Sequence, residues 1–289
     1  MNSMDIVLAL GGGGAKGNAH LGVLRALEKE GFHIKAVAGT SAGGMAAAVY
    51  AAGFNPQEII DILAEVKQSD LYSFGRGPAL LGMQGITDTL RKFIDEETFA
   101  DLRIPCALTA VDVESMREVV LKKGRVLDAV MATIAIPGVF PPKQWGEQLL
   151  VDGGVLDPVP VQIARSLAPG LPVVAVTLSP PPEKWGEFPV PKILPSTPIL
   201  QPIAKLRVAQ AFDVFVRSLD MGMYMLAHTR LELEKPDVII RPQVADIGTL
   251  DKVDVAEVAA RGDVAVEKAL PQLHKAVNWR GKVRRWFTR

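Results

Sequence analysis

The chain of 289 residues contains one cysteine, few aromatic residues and no excess of either charge. The single cysteine, Cys106, excludes internal disulfides and a cysteine-rich metal site, and its apolar surroundings predict a buried core residue. Lysines and arginines number 32, as do aspartates and glutamates, so the whole chain lacks the basic field typical of nucleic-acid-binding proteins. We therefore expect no nucleic-acid partner.

The sequence also lacks the residue spacing of metal sites and the long apolar runs of membrane-spanning helices. The four histidines lie far apart without the spacing of zinc ligands, so we expect no metal and no cofactor. No stretch approaches the roughly 18 uncharged apolar residues of a membrane-spanning helix. The N-terminal sequence has no basic region of the kind that begins a signal peptide, which makes the cytoplasm the expected compartment.

The sequence does contain an alternation of strand and helix patterns. Apolar runs at 5–10 and 34–38 predict buried strands, and helical patterns follow over 17–30 and 42–52. Further strands are predicted at 104–111, 118–121, 148–151, 173–178 and 237–241, and further helices at 55–67, 125–133, 203–232 and 254–277. This order predicts an α/β fold with a mostly parallel sheet covered by helices on both faces.

Two segments interrupt this alternation. Residues 69–85 combine four glycines and one proline with apolar side chains, which is typical of a surface loop or of a mobile lid over a lipid site. Residues 179–202 hold eight prolines and predict a surface excursion. Because the chain beyond it is short, we expect one domain over 1–278 and a separate tail at 279–289.

A glycine-rich loop, Gly11 to Gly17, lies between the first strand and the first helix. It satisfies the dinucleotide pattern G-x-G-x-x-G, but no carboxylate ends the second strand to hold a ribose. A phosphate-binding Walker loop also fails, because Lys16 precedes the last glycine instead of following it. Backbone amides at a helix N-terminus can bind an anion, which is either a resident phosphate or an oxyanion formed during a reaction.

A second motif, G-x-S-x-G at 39–43, lies between the second strand and its helix. This is the setting of a nucleophile elbow, with Ser41 as the nucleophile and the amides of Ala42 and Gly43 as supporting donors. The alternative is that Ser41 only caps the helix. Because both glycine turns follow adjacent strands, the nucleophile and the oxyanion donors are expected at one point.

A serine nucleophile needs a proton acceptor, and Asp152 is the candidate. It ends a predicted strand before two glycines and can act as a base if it is buried beside the hydroxyl. The alternative is an ordinary turn residue, since Asp-Gly is common in turns. His228 and His274 lie within helical patterns, which is more typical of a helix face than of a catalytic triad.

The three motifs, in this order and spacing, resemble the patatin-like phospholipase family, in particular its small bacterial single-domain members. The matching pieces are 12–17, 39–43 and 152–154. The segments 135–142 and 157–160 are also similar, and a weaker similarity extends to 237–242. The resemblance therefore covers most of the chain.

The resemblance implies a three-layer α/β/α sandwich with a mostly parallel central sheet. It also implies a Ser–Asp dyad, without a catalytic histidine or a metal, that hydrolyses acyl esters of phospholipids or lysophospholipids through an acyl-enzyme. Carried over to this sequence, the nucleophile is Ser41, the base is Asp152 and the oxyanion hole is formed by the amides of Gly12, Gly13 and Gly14. Lys16 matches the family's basic position, where no role is assigned to it.

Several alternatives use the same residues. The site could transfer the acyl group to an alcohol or act as a general carboxylesterase. A non-catalytic lipid or anion binder would keep the glycine nest without needing Ser41. A nucleotide oxidoreductase is disfavoured because the ribose carboxylate is missing.

The tail at 279–289 is basic and aromatic. Its aromatic residues are Trp279, Trp286 and Phe287, and its basic residues are Arg280, Lys282, Arg284, Arg285 and Arg289. This composition suits a peripheral contact with the anionic inner face of a membrane. The alternative is a solvated tail whose aromatic rings fold back on the domain.

Overall fold

The architecture rests on a central sheet. The structure is a computed structural model that describes residues 4–66, 73–74, 81–185 and 203–278. For 73–74 and 203–213 it describes the backbone alone. The strands are β1 (Asp5–Leu10), β2 (His33–Gly39), β3 (Ser73–Phe74), β4 (Leu81–Gly82), β5 (Cys106–Asp112), β6 (Arg117–Leu121), β7 (Lys143–Trp145), β8 (Gln148–Asp152), β9 (Val173–Val176) and β10 (Val238–Ile240). The helices are α1 (Ala19–Lys29), α2 (Ala42–Ala51), α3 (Pro56–Ala64), α4 (Gln84–Leu90), α5 (Val126–Thr133), α6 (Val161–Leu167), α7 (Ile203–Glu234) and α8 (Val255–Val277).

Eight strands form the main sheet in the order β10-β9-β1-β2-β5-β8-β7, with β6 also paired to β5. The pairs from β10 to β5 are parallel, whereas β6, β8 and β7 are antiparallel to their neighbours. The mostly parallel sheet expected from the sequence is therefore confirmed. The antiparallel strands all lie at one side of the sheet, beyond β5.

Helices cover both faces of this sheet. On β1, Ile6, Leu8 and Leu10 pack into one apolar cluster with α1, α2, α3, α5 and α8. The alternate residues Val7 and Ala9 pack into a second cluster with α6 and α7. This division is the three-layer α/β/α arrangement, because successive side chains of a strand point to opposite faces.

The predicted strands and long helices are present within a few residues of their expected bounds. Asn55 caps α3 as expected, since its side chain accepts a hydrogen bond from the Gln57 amide at 2.9 Å. The short elements β7, α4 and α6 were not predicted, because each has seven residues or fewer and shows no clear periodicity. None of the described helices is both long and apolar enough to cross a membrane.

The interrupting segments are described only in part. Within the predicted lid, β3 and β4 pair antiparallel, and the Leu81 amide donates to the Val139 carbonyl at 3.0 Å. The rest of that lid up to β4, at 69–72 and 75–80, lies outside the described residues. The same holds for 186–202 of the proline-rich segment and for the tail at 279–289.

Candidate active site

Ser41 lies in the turn between β2 and α2 in a conformation that side chains rarely adopt. Its φ is 55° and its ψ is −127°, in the left-handed half of backbone space, a strain of about 1–3 kcal/mol. The Ser41 amide donates to the Thr133 hydroxyl at 2.9 Å. A Cβ at Gly39 would overlap the Gly43 carbonyl, and one at Gly43 would overlap the Leu10 carbonyl. The turn therefore needs both glycines that flank the serine in the motif.

Asp152 ends β8 and reaches the same edge of the sheet from the opposite direction. Strand β5 continues past Leu108, which pairs with Gly39 of β2, and Asp152 pairs with Ala110 on this extension. The Asp152 carboxylate accepts a hydrogen bond from the Gly154 amide at 2.8 Å, and the residue is 3% exposed. Strand β8, which pairs antiparallel with the extension of β5, thus places the Asp152 carboxylate at the carboxyl ends of the parallel strands.

The electrostatic environment of Asp152 suits a base. Burial raises its pKa to about 7, against hydrogen bonds from the Ser41 side chain and the Gly154 amide that lower it. The carboxyl group is therefore close to Ser41 and balanced between its two protonation states near neutral pH. This is the range in which a general base works best.

Gly13 and Gly14 of the glycine loop line the same cavity as Ser41 and Asp152. Neither the Gly13 nor the Gly14 amide donates a hydrogen bond to any described residue, and the same is true of the Ala42 amide at the start of α2. The Gly12 amide, also expected to be an oxyanion donor, donates to the Pro158 carbonyl at 3.0 Å. This bond joins the glycine loop to the segment after β8, whereas the Gly13 and Gly14 amides have no acceptor among the described residues.

Lys16 belongs to this loop, but its side chain is buried and lines neither of the cavities at Ser41. It is 2% exposed, and its ammonium group donates to the Tyr224 hydroxyl at 2.6 Å. Its charge also lowers the pKa of Asp220, which burial raises. The Thr249 hydroxyl donates a hydrogen bond to the Asp220 carboxylate at 3.0 Å, and the Thr249 carbonyl accepts one from the Ala15 amide at 2.9 Å. Lys16 thus fastens the glycine loop to α7.

Two cavities meet at Ser41. The first, of about 180 Å³, runs between α1, α2, α3, α4 and the segment that follows α5, and is mainly apolar. Its walls include Leu21, Val49, Ile59, Leu90, Phe93 and Phe140. The second, of about 160 Å³, lies under α7 and also contacts Asp152. Ser41 thus borders an apolar cavity on one side and a second, separate cavity on the other.

The structure adds supporting residues that sequence reasoning missed. His20 is fully buried, and burial lowers its pKa to about 4, so the neutral ring donates from Nε2 to the Gly11 carbonyl at 2.7 Å. Thr133 reaches the Ser41 amide from 92 positions along the chain, and no local motif marks it. Neither His228 nor His274 lines either cavity. In the described part of the chain, no group of His, Cys, Asp or Glu is arranged to hold a metal ion.

Comparisons with known proteins find a matching family model and several relatives of this chain. The family model described as patatin-like phospholipase matches residues 8–165. An uncharacterised NTE family protein of Mycobacterium tuberculosis is 29% identical over 283 residues, 93% of this chain and 46% of the relative. The lysophospholipase NTE1 of Mycosarcoma maydis is 32% identical over 174 residues, 57% of this chain and 9% of the relative.

The chain spans about half the length of the mycobacterial relatives that it matches. Among solved structures, that of VipD from Legionella pneumophila has a TM-score of 0.50 with 14% identity. The match covers 95% of this chain and 67% of VipD. At this identity the likeness concerns the fold.

Proposed function

Because the chain belongs to the patatin-like phospholipase family, we propose that it hydrolyses fatty acyl esters of phospholipids or lysophospholipids, with Ser41 as the nucleophile and Asp152 as the base. One observation carries the proposal. The strained turn holds Ser41 in the wall of an apolar cavity, close to the buried carboxyl group of Asp152, whose pKa burial raises to about 7 and the Ser41 side chain lowers.

The first step is attack on the ester. Asp152 takes the hydroxyl proton while the Ser41 oxygen forms a bond with the carbonyl carbon of the substrate. The carbonyl π bond opens, and its electron pair becomes the charge of a tetrahedral oxyanion. The strained turn keeps the Ser41 hydroxyl at the edge of the sheet, beside the carboxylate that receives the proton.

The oxyanion is stabilised by the amides of Gly13 and Gly14, together with that of Ala42 at the N-terminus of α2. These amides have no competing acceptor among the described residues, so each can donate to the developing charge. Loss of one such donor typically lowers the rate by about 10²–10³. Gly12 contributes indirectly, since its amide holds the loop to Pro158.

The remaining steps return the proton. Asp152 gives it to the leaving alcohol as the ester C–O bond breaks, which leaves the acyl group on Ser41. Asp152 then deprotonates a water molecule that attacks the acyl-enzyme. Collapse of the second tetrahedral intermediate releases the fatty acid and restores the Ser41 hydroxyl. All proton transfers use Asp152, and the sequence of steps needs no metal or cofactor.

The two cavities suit the two halves of such a substrate. The larger one is lined mainly by apolar side chains and fits the acyl chain, because its burial there removes apolar surface from water. The second one, under α7, would receive the alcohol that leaves. We further propose that the protein works in the cytoplasm and that the tail at 279–289 holds it against an anionic membrane surface, where its substrates are found.

The test is intact-protein mass spectrometry after treatment with a fluorophosphonate, which reacts with activated serines. We expect one adduct on the unmodified protein, none on Ser41→Ala and slower labelling of Asp152→Asn. Ser166→Ala is the matched control, because that hydroxyl lies on α6 and donates to the Ile163 carbonyl at 2.7 Å. Circular dichroism verifies that each variant is folded.

Three outcomes would contradict the proposal. Labelling of Ser41→Ala would identify another nucleophile. No adduct on the folded protein, with or without detergent, would favour the non-catalytic lipid binder. A new ester in place of free fatty acid, when a lysophospholipid and an alcohol are supplied together, would favour an acyltransferase.

A further inference from the structure

A charged cluster built around one buried carboxyl group joins the loop after Asp152 to helix α7. The carboxyl group of Asp157 is fully buried, and its Oδ1 lies 3.1 Å from Nε of Arg230. The same guanidinium places Nη2 at 2.8 Å from Oε1 of Glu234, one turn further along α7. None of these contacts takes part in the proton transfers described above.

The backbone of the Asp157 loop holds both glycine turns of the site. The Thr40 hydroxyl, next to the nucleophile, donates to the Asp157 carbonyl at 2.8 Å. The Gly12 amide donates to the Pro158 carbonyl at 3.0 Å. The Asp157 amide donates to the carbonyl of Gly153, directly after the base, at 2.8 Å. Two adjacent residues thus contact the nucleophile turn, the oxyanion loop and the end of β8.

Arg230 is the cation that these carboxyl groups share. Burial raises the pKa of Asp157, the charge of Arg230 lowers it, and Glu118 of β6 and Glu234 raise it further. Arg165 of α6 interacts with Glu234 and donates to the carbonyls of Glu234 and Lys235. Removal of Arg230 would leave Asp157 facing two other acids inside the protein, which strongly disfavours the present loop position.

Neither Asp157 nor Arg230 lines either cavity. A substrate bound at Ser41 therefore has no direct contact with the pair. An effect of the pair on the reaction passes through the backbone contacts of this loop with Thr40, Gly12 and Gly153. Such an effect changes the alignment of Ser41 and of the oxyanion amides, and so changes kcat more than KM.

We propose that Arg230 is a positioning residue of the catalytic centre, acting through Asp157 on the loop that fixes the Ser41 turn and the glycine loop. This inference rests on the proposed hydrolase function. Helix α7 is then more than a cover for the second cavity, because its ion pair sets the distance between the nucleophile and its oxyanion donors.

The experiment measures kcat and KM for a p-nitrophenyl ester, and the rate of fluorophosphonate labelling, in Arg230→Met, Arg230→Lys and Asp157→Asn. We expect Arg230→Met to lower kcat and the labelling rate by about 10- to 100-fold with KM changed less than about twofold. Arg230→Lys restores the charge and should recover a large part of the loss. The control is Arg261→Met, which removes an arginine paired with Asp246 and Glu257 away from the site.

A double-mutant cycle separates positioning from general stability. If Arg230 acts through Asp157, the double variant Arg230→Met, Asp157→Asn loses much less than the product of the two single losses. Independent, multiplicative losses would overturn the inference, as would wild-type kcat in folded Arg230→Met. If Arg230→Met does not fold, Arg230→Lys and Asp157→Asn decide by the same split between kcat and KM.

The same data separate this inference from the proposed function. If the unmodified protein is not labelled at Ser41, the hydrolase proposal fails first. If it is labelled and all Arg230 variants react at its rate, only the positioning role fails.

Discussion

The protonation of Asp152 is the residue-scale property with the most direct kinetic consequence. Burial raises its pKa from 3.8 to about 7, and the proposed base accepts the Ser41 proton only when it is ionised. We therefore expect kcat/KM to be level above about pH 7 and to fall about tenfold per pH unit below it. Rates with a p-nitrophenyl ester across this range test the prediction. A level profile down to about pH 5 would show that the base has an ordinary pKa.

The same carboxyl group is expected to reduce the stability of the fold at alkaline pH. Its pKa is higher in the folded chain than in the unfolded chain, so folding binds a proton between about pH 4 and pH 7. The destabilisation is fully present above the folded pKa and is relieved as the pH falls towards the unfolded one. Asp152→Asn should therefore raise the free energy of unfolding at pH 8 by about 1–3 kcal/mol, with a smaller gain at pH 5.

Urea unfolding of both proteins at the two pH values measures this difference. The control is Asp101→Asn, since hydrogen bonds from Thr98 lower the pKa of Asp101. The ionised Asp101 carboxylate therefore stabilises the fold above the pKa that this group has in the unfolded chain. This stabilisation is lost as the pH falls through its pKa in the folded chain. The two substitutions should thus change stability in opposite directions at pH 8. A stability gain for Asp152→Asn that is the same at both pH values would contradict the assignment.

At the scale of elements, the packing of α1 against α8 depends on two glycines. A Cβ at Gly22 would overlap the Ala259 carbonyl of α8, and one at Gly262 would overlap the Ala19 carbonyl of α1. We expect Gly22→Ala and Gly262→Ala each to destabilise the fold by about 1–3 kcal/mol, although alanine favours a helix over glycine.

The matched control is a third helical glycine, Gly222 of α7. A Cβ at this position would meet no described atom within 4 Å, so Gly222→Ala should stabilise the fold by up to about 1 kcal/mol. Thermal unfolding of the three variants gives the sign of each effect. A stability gain for Gly22→Ala would show that the two helices can separate without loss.

Local sequence patterns predict contiguous elements well, but they do not predict how distant elements pair. Strands β1 and β2 with their glycine turns were predicted because each strand, turn and helix is contiguous, and this led to Ser41 and the glycine loop. The antiparallel direction of β8 was not predicted, because it depends on pairing with the extension of β5 about 40 positions earlier. The contacts of Gly12, Thr133 and Arg230 are with partners distant in sequence, at Pro158, Ser41 and Asp157. Such contacts follow from the assembled sheet and have no local signal.

At the scale of the whole molecule, charge is divided unevenly along the chain. The complete sequence is formally neutral, and the tail at 279–289 contains five basic residues and no acidic one, so the rest carries five excess negative charges. An anionic lipid surface would attract the tail and repel the domain, which favours contact through the tail. Each basic residue near such a surface contributes about 1 kcal/mol, and this contribution weakens as salt is added.

Deletion of 279–289 is therefore expected to abolish most sedimentation with vesicles that contain phosphatidylserine, while hydrolysis of a soluble p-nitrophenyl ester continues. A variant with the five basic residues changed to glutamine should behave like the deletion if charge dominates, and should keep part of the binding if Trp279, Trp286 and Phe287 contribute. Binding of the unmodified protein should fall as salt rises, and vesicles of phosphatidylcholine alone should bind it weakly. Equal sedimentation of the full and shortened chains would instead assign membrane contact to the domain.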